Sequence, residues 1–131
     1  TDHSSVQLEV ALAGGIPKTI NLMKEFPDNH KLIEKACVVL QNLSSQTEAV
    51  EHIVKHNGVK EVIIAMKKHK TSAKVQEETC LLLWKMCAVP SVASILKSDE
   101  MQDYLKEVAK KFPQKCGTTV KEIQRRVGKR S

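Results

Sequence analysis

The sequence predicts an all-α protein, built as a solenoid of repeated three-helix units. Its 131 residues are 41% hydrophobic and only 3% aromatic, with five glycines and four prolines. That composition suits one packed domain and holds too few turn residues for a loop-rich β-sandwich. The strongest observation is internal, since a shift of 43 residues aligns 14–44 with 57–87 without a gap and with eight identities. Self-similarity at such a period is typical of stacked helical repeats, and it predicts equivalent core positions for Leu40 and Leu83.

The longest helix of each repeat is indicated by its caps and by its apolar residues. Asn29 and Ser72 are aligned by the 43-residue shift, and both residue types are favoured at helix N-caps. The segments that follow them run to about Ser44 and Ala88. Their apolar residues cover most of the helix circumference, as in a helix packed between neighbours. We predict that this is the third helix of each unit.

The shorter helices have boundary signals of their own. Gly15-Ile16-Pro17 places a proline in the first turn of the middle helix, where its missing N–H has no helical partner. Ser45-Gln46-Thr47-Glu48 has the spacing of a capping box and predicts the start of the next helix. That helix is expected to end at His56-Asn57-Gly58, because asparagine and glycine suit a left-handed C-terminal turn.

The period divides the chain into four segments. We assign 1–14 to the end of a preceding repeat, 15–57 and 58–100 to two full repeats, and 101–131 to a partial, basic C-terminal repeat or cap. In the last segment a middle helix is expected over about 100–112. Thr119-Val-Lys-Glu122 has capping-box spacing, so the final helix is predicted to begin there. Because the chain starts with Thr1, we expect it to be a piece of a longer protein.

The repeat resembles the armadillo repeat in its period, its three helices and two stretches of sequence. These are Gly14-Gly15-Ile16-Pro17 and the segment 34–44, which reads EKACVVLQNLS. The segment Met23–Pro27 is also similar to armadillo segments attached to kinases, including leucine-rich-repeat kinases and kinase-like scaffolds. The resemblance implies a right-handed α-solenoid whose third helices line a concave groove. It further implies a non-catalytic module that binds a partner protein or an extended peptide in that groove.

The resemblance also implies which residues face a partner in the groove. Asn42 matches the asparagine of the family's ladder, whose amide can bind a ligand backbone, and Lys85 stands at the equivalent position one unit later. Val38 and Leu81 stand where importin-like members carry a ligand-gripping tryptophan, which disfavours an importin-like grip on basic peptides. The predicted partner-binding residues are Lys31, Lys35, Val38, Asn42, Lys74, Glu78, Leu81 and Lys85.

Two alternative functions follow from the charge distribution and from the repeat architecture. The net charge is +6, and residues 106–131 hold nine basic and two acidic side chains. Lys121, Arg125 and Arg126 therefore form a candidate basic patch for an anionic membrane, a nucleic acid or an acidic protein. The other alternative is a structural spacer or a dimerisation domain of a kinase-like protein, with self-association through exposed repeat ends.

Catalysis and metal binding have little support in the sequence. His52 and His56 have a spacing that could hold a metal, but no further ligand completes a site, so we interpret them as a solvated helix face. No nucleophile stands beside a base, and we expect no enzyme activity, cofactor, metal site or small-molecule substrate. Cys37 and Cys80 are paired by the repeat and are expected to be core residues. The absence of a signal-peptide pattern leads us to expect a cytoplasmic location, with the nucleus as the open alternative.

Overall fold

The structure is a computed structural model that describes residue 9 and residues 14–128. In that part of the chain it contains eight α-helices and no strand. They are α1 (Ile16–Glu25), α2 (His30–Leu43), α3 (Thr47–Lys55), α4 (Gly58–Lys68), α5 (Ala73–Met86), α6 (Pro90–Lys97), α7 (Asp99–Lys111) and α8 (Pro113–Arg126). The all-α prediction is confirmed. The predicted end of a preceding repeat at 1–14 lies outside the described residues, apart from residues 9 and 14.

The helices stack in the order that a repeat predicts. In the order short, middle and third helix, α3 to α5 form one unit and α6 to α8 form the next, and α1 and α2 are the middle and third helices of the unit before them. The third helices of successive units lie side by side, with α5 packed between α2 and α8. The middle helices α1 and α4 are also in contact, and each packs against the third helix of its own unit. The fold is therefore a short helical solenoid.

The repeated N-caps of the third helices are confirmed. The backbone N–H of Leu32 donates to Oδ1 of Asn29 at 3.1 Å. One unit later, the N–H of Val75 donates to Oγ of Ser72 at 3.2 Å. Each cap satisfies one of the amides that has no partner in the first turn of a helix. Pro17 lies in the first turn of α1, as the sequence predicts.

The connection between α3 and α4 is a tight left-handed turn. Asn57 has a φ of 64°, which confirms the prediction that it suits this conformation. Gly58 follows it and is buried against the preceding helix. A Cβ atom at Gly58 would lie 2.9 Å from the carbonyl oxygen of Ile53 and would collide with the Ile53 side chain. Glycine is required there because the two helices approach each other so closely.

The predicted capping box at Ser45 is wrong. Helix α3 begins at Thr47, and its N-cap is Gln46, which makes no side-chain cap hydrogen bond. The backbone of Gln46 is extended, and its carbonyl accepts from the N–H groups of Ala49 and Val50 at 3.0 and 3.2 Å. The helix therefore starts one residue too late for Ser45 to act as its cap.

The predicted start of the last helix at Thr119 is also wrong, because α8 begins two turns earlier at Pro113. Four residues separate α1 from α2, and four separate α4 from α5, but only Phe112 separates α7 from α8. Pro113 can open a helix because the first turn does not need its N–H. The carbonyl of Phe112 accepts from the N–H of Cys116 at 2.8 Å, which closes the first turn.

The shorter connection changes the repeat register. Helix α5 begins 43 residues after α2, but α8 begins only 40 residues after α5. In the new register Ile123 follows Leu40 and Leu83, and all three are fully buried. Cys37 and Cys80 are likewise buried at equivalent positions, which confirms the prediction that they are core residues. The register of the third helices is therefore fixed by the core.

We expect Leu40→Ala and Leu83→Ala each to lower the free energy of unfolding by about 2–5 kcal/mol, because each removes a buried side chain and leaves a cavity. Val39→Ala is the matched control. Val39 is 45% exposed, so its truncation should change stability by about 0.5 kcal/mol or less. Urea unfolding followed by circular dichroism measures all three. Two leucine variants that unfold like the parent chain would contradict the repeat packing.

The Cys37 thiol should resist alkylation until the protein unfolds. Burial, with a smaller contribution from the nearby Glu78 carboxylate, raises the pKa of Cys37 to about 12. Since the thiolate is the nucleophile, the folded protein should hold almost none of it at mildly alkaline pH. Iodoacetamide labelling followed by peptide mass spectrometry tests this with and without guanidinium chloride. Equal labelling of Cys37 in both conditions would show that the thiol is accessible.

Candidate functional site

The candidate groove is the surface formed by the exposed faces of the third helices α2, α5 and α8. Helix α2 contributes four of the predicted partner-binding residues, and all four are exposed: Lys31, Lys35, Val38 and Asn42. Val38 and its neighbour Val39 are 39% and 45% exposed. Two adjacent β-branched side chains in water form a small apolar patch in the middle of α2.

Helix α5 contributes the other four predicted residues, and these differ in accessibility. Lys74 and Lys85 are exposed and Leu81 is half-buried. Glu78 is buried, with an exposed fraction of only 7%. An open cavity of about 420 Å³ is lined by Glu34, Lys35, Val38, Val39, Lys74 and Glu78. Four of the eight predicted residues therefore line one cavity between α2 and α5, and the other four lie outside its lining.

Glu78 is engaged in a polar bridge that joins α2 to α5. Nε2 of Gln41 donates to Oε1 of Glu78 at 2.8 Å and to its backbone carbonyl at 2.9 Å. Nζ of Lys74 lies 2.9 Å from Oε2 of the same carboxylate. The hydrogen bond to Glu78 raises the pKa of Lys74 above its usual value. The Glu78 carboxylate therefore holds neighbouring repeats together instead of pointing freely at a partner.

Gln41 is the member of this bridge that sequence reasoning missed. It stands in the apolar stretch of α2 and is 8% exposed. The 43-residue shift pairs Gln41 with Trp84. The repeat therefore gives no indication that a polar side chain is needed at this position. The one available signal was an amide side chain inside an otherwise apolar helix, because a buried amide needs a partner.

Helix α8 places two residues of the predicted basic patch on the groove. In the 40-residue register of the core, Lys121 follows Leu81 and Arg125 follows Lys85. Both cations are exposed. Lys121 and Arg125 therefore lie on the same face of the solenoid as Val38 and Asn42 of α2. Two of the three predicted patch residues therefore lie on the same candidate surface as the predicted groove residues.

The third residue of the patch has a different environment. The guanidinium carbon of Arg126 lies 4.7 Å from the centre of the Trp84 ring, in a cation–π contact between α8 and α5. Arg125 forms an ion pair with Glu122 one turn earlier on the same helix. Arg125 lowers the pKa of Glu122, mainly through their hydrogen bond. The structure thus keeps Lys121 and Arg125 on the groove face and turns Arg126 toward Trp84.

The comparison with protein families agrees with this architecture. The model of a family described as LRRK2 ARM repeat matches residues 18–123, which include most or all of every described helix. The chain belongs to the LRRK2 ARM repeat family. The armadillo resemblance is therefore confirmed, including its similarity to the kinase-attached type. No curated protein and no solved structure matches the chain.

The described part of the chain contains neither a metal-binding cluster nor a helix that could span a membrane. Among residues 9 and 14–128 no group of three histidine, cysteine or acidic side chains could hold a metal ion. The rings of His52 and His56 lie 4.5 Å apart, edge to face, on α3. None of the described helices is long and apolar enough to span a bilayer.

Gln41→Ala should lower the free energy of unfolding by about 1–3 kcal/mol, because it leaves the buried Glu78 carboxylate without its amide partner. The matched control is Lys74→Ala, which removes the other partner of the same carboxylate from an exposed position. Lys74 is exposed, so water can take the place of its ammonium group beside Oε2 of Glu78, and this change should cost less than the loss of Gln41. Chemical denaturation distinguishes the two variants. A larger loss for Lys74→Ala than for Gln41→Ala would contradict the bridge.

Proposed function

We propose that this ARM repeat is a non-catalytic protein-interaction module, which binds a partner protein or peptide along the groove of α2, α5 and α8. The observation that carries the proposal is the side-by-side packing of these three helices, with one row of exposed residues on each. Such a surface is long, open and rigid, as peptide recognition requires. A closed pocket that could surround a reacting molecule is not needed for this function.

The chemistry of the groove suits an extended chain. The amide of Asn42 can donate to and accept from a ligand backbone, and Lys85 can donate to a carbonyl or a carboxylate. Val38 and Val39 offer exposed apolar area beside an open cavity. A partner that covers these valines gains from the removal of apolar surface from water. Because Lys121 and Arg125 share this face, we treat the basic end as a continuation of the groove.

The double variant Asn42→Ala with Lys85→Glu should weaken a bound peptide by about 1–3 kcal/mol while the melting temperature stays near that of the parent. Both side chains are exposed, so neither change disturbs the core. A random peptide library displayed against the folded domain supplies the ligand. Fluorescence anisotropy then compares the selected peptides on the parent and on the variant.

Lys60→Glu on α4 is the control, since Lys60 is exposed but lies outside the groove and carries the same charge reversal. It should leave the affinity of the selected peptides within about twofold of the parent value. Selected peptides that bind the groove variant as tightly as the parent, or that lose affinity only with Lys60→Glu, would contradict the proposed function.

A further inference from the structure

The face of the third helices that lines the groove carries six basic residues. Its basic residues are Lys31 and Lys35 on α2, Lys74 and Lys85 on α5, and Lys121 and Arg125 on α8. Lys74 is engaged by Glu78, and Arg125 is paired with Glu122. Lys85 and Lys121 form no ion pair with any residue of the described part of the chain. Two adjacent helices thus present uncompensated ammonium groups to the same groove.

Helix energetics alone do not account for this arrangement. Cations are favourable in the last turn of a helix, which covers Lys85 and Arg125. Lys31 and Lys74 instead stand in the first turn, where the macrodipole disfavours a positive charge. None of the three helices carries an acidic residue in its first turn. Glu77 and Glu78 pair with Lys74, so the positive charge that has no partner on α5 and α8 lies farther along the groove, at Lys85 and Lys121.

The three helices differ in what they offer along the groove. Helix α2 offers apolar area at Val38 and Val39 together with the Asn42 amide. Helix α5 offers Lys85, and α8 offers Lys121 and Arg125. Packed helices are about 8–10 Å apart and an extended chain advances about 3.3 Å per residue, so a peptide crossing them reaches a new helix about every third residue.

We propose that the preferred partner is an extended acidic peptide, with one apolar side chain placed over α2 and carboxylates at about the third and sixth residues after it, over α5 and α8. This inference rests on the proposed function and names its partner class. The carboxylates meet Lys85, Lys121 and Arg125, whereas the apolar side chain covers the two valines. Arg125 is available because its pair with Glu122 is exposed and such pairs are weak.

Three fluorescein-labelled peptides of equal length test the inference by anisotropy at low ionic strength. The first carries leucine with glutamate at the third and sixth residues after it, in a glycine–serine background. The second replaces both glutamates by glutamine, and the third places the glutamates next to each other. The first peptide should bind about 10-fold more tightly than the glutamine peptide and measurably more tightly than the clustered one. Equal affinity for the first two would overturn the inference.

A pair of charge reversals locates the binding. Lys85→Glu with Lys121→Glu should abolish binding of the acidic peptide, whereas Lys18→Glu with Lys60→Glu should weaken it by about twofold at most. All four lysines are exposed, so melting curves should coincide, and the glutamine versions of the groove pair supply a milder second variant. An equal loss for both pairs would mean attraction by net charge alone and would overturn the inference.

Two further experiments distinguish an acidic peptide from other anionic ligands, and a failure of this inference from a failure of the proposed function. Tighter binding of a single-stranded oligonucleotide or of phosphatidylserine vesicles, with the same dependence on Lys85 and Lys121, would overturn the peptide assignment. Library peptides that require Asn42 but ignore the two lysine reversals would defeat the acidic specificity and leave groove binding intact. Library peptides whose affinity depends neither on Asn42 nor on the two lysines would contradict the proposed function as well.

Discussion

The packing of α5 between α2 and α8 is the constraint on which the rest of the structure depends. A single helix can bury only part of its circumference against its own unit, so the remaining apolar area has to be covered by the units on either side. Leu82 and Leu83 are both fully buried, although they stand on adjacent positions of one helix. The exposed strip left on α5 is therefore narrow, and it determines where the groove runs.

The two contacts of α5 are made in different ways. Toward α2 the contact includes the buried bridge between Gln41 and Glu78, and toward α8 it includes Trp84 beneath Arg126. A buried carboxylate is costly unless its partners are in place, so the bridge disfavours any sliding of α2 along α5. An aromatic ring under a guanidinium is less demanding in geometry. The junction with α8 combines this contact with the 40-residue register.

Much of the fold follows from sequence, and the exceptions have physical reasons. Some features are local or periodic along the chain, so the sequence alone predicts them. They are the 43-residue period, the caps at Asn29 and Ser72 and the buried leucines. The start of α8 could not be predicted in this way, because a constant period assumes connections of equal length. The connection between α7 and α8 is three residues shorter than its counterparts, since α8 already begins at Pro113. The role of Glu78 is also hidden, since its partner Gln41 is 37 residues away. The sequence predicts which residues of α2 and α5 line the groove. That Lys121 and Arg125 of α8 lie on the same face follows only from the 40-residue register of the folded chain.

Amide hydrogen exchange at residues 116–119 tests this register most directly. A helix that begins at Pro113 gives these four amides intrahelical partners, beginning with the bond from Cys116 to Phe112. They should then exchange far more slowly than in the unfolded chain, with protection approaching that of the aligned amides 76–79 of α5. Exchange of all four at unfolded rates, with protection beginning only after Thr119, would contradict the 40-residue register and separate Lys121 and Arg125 from the groove.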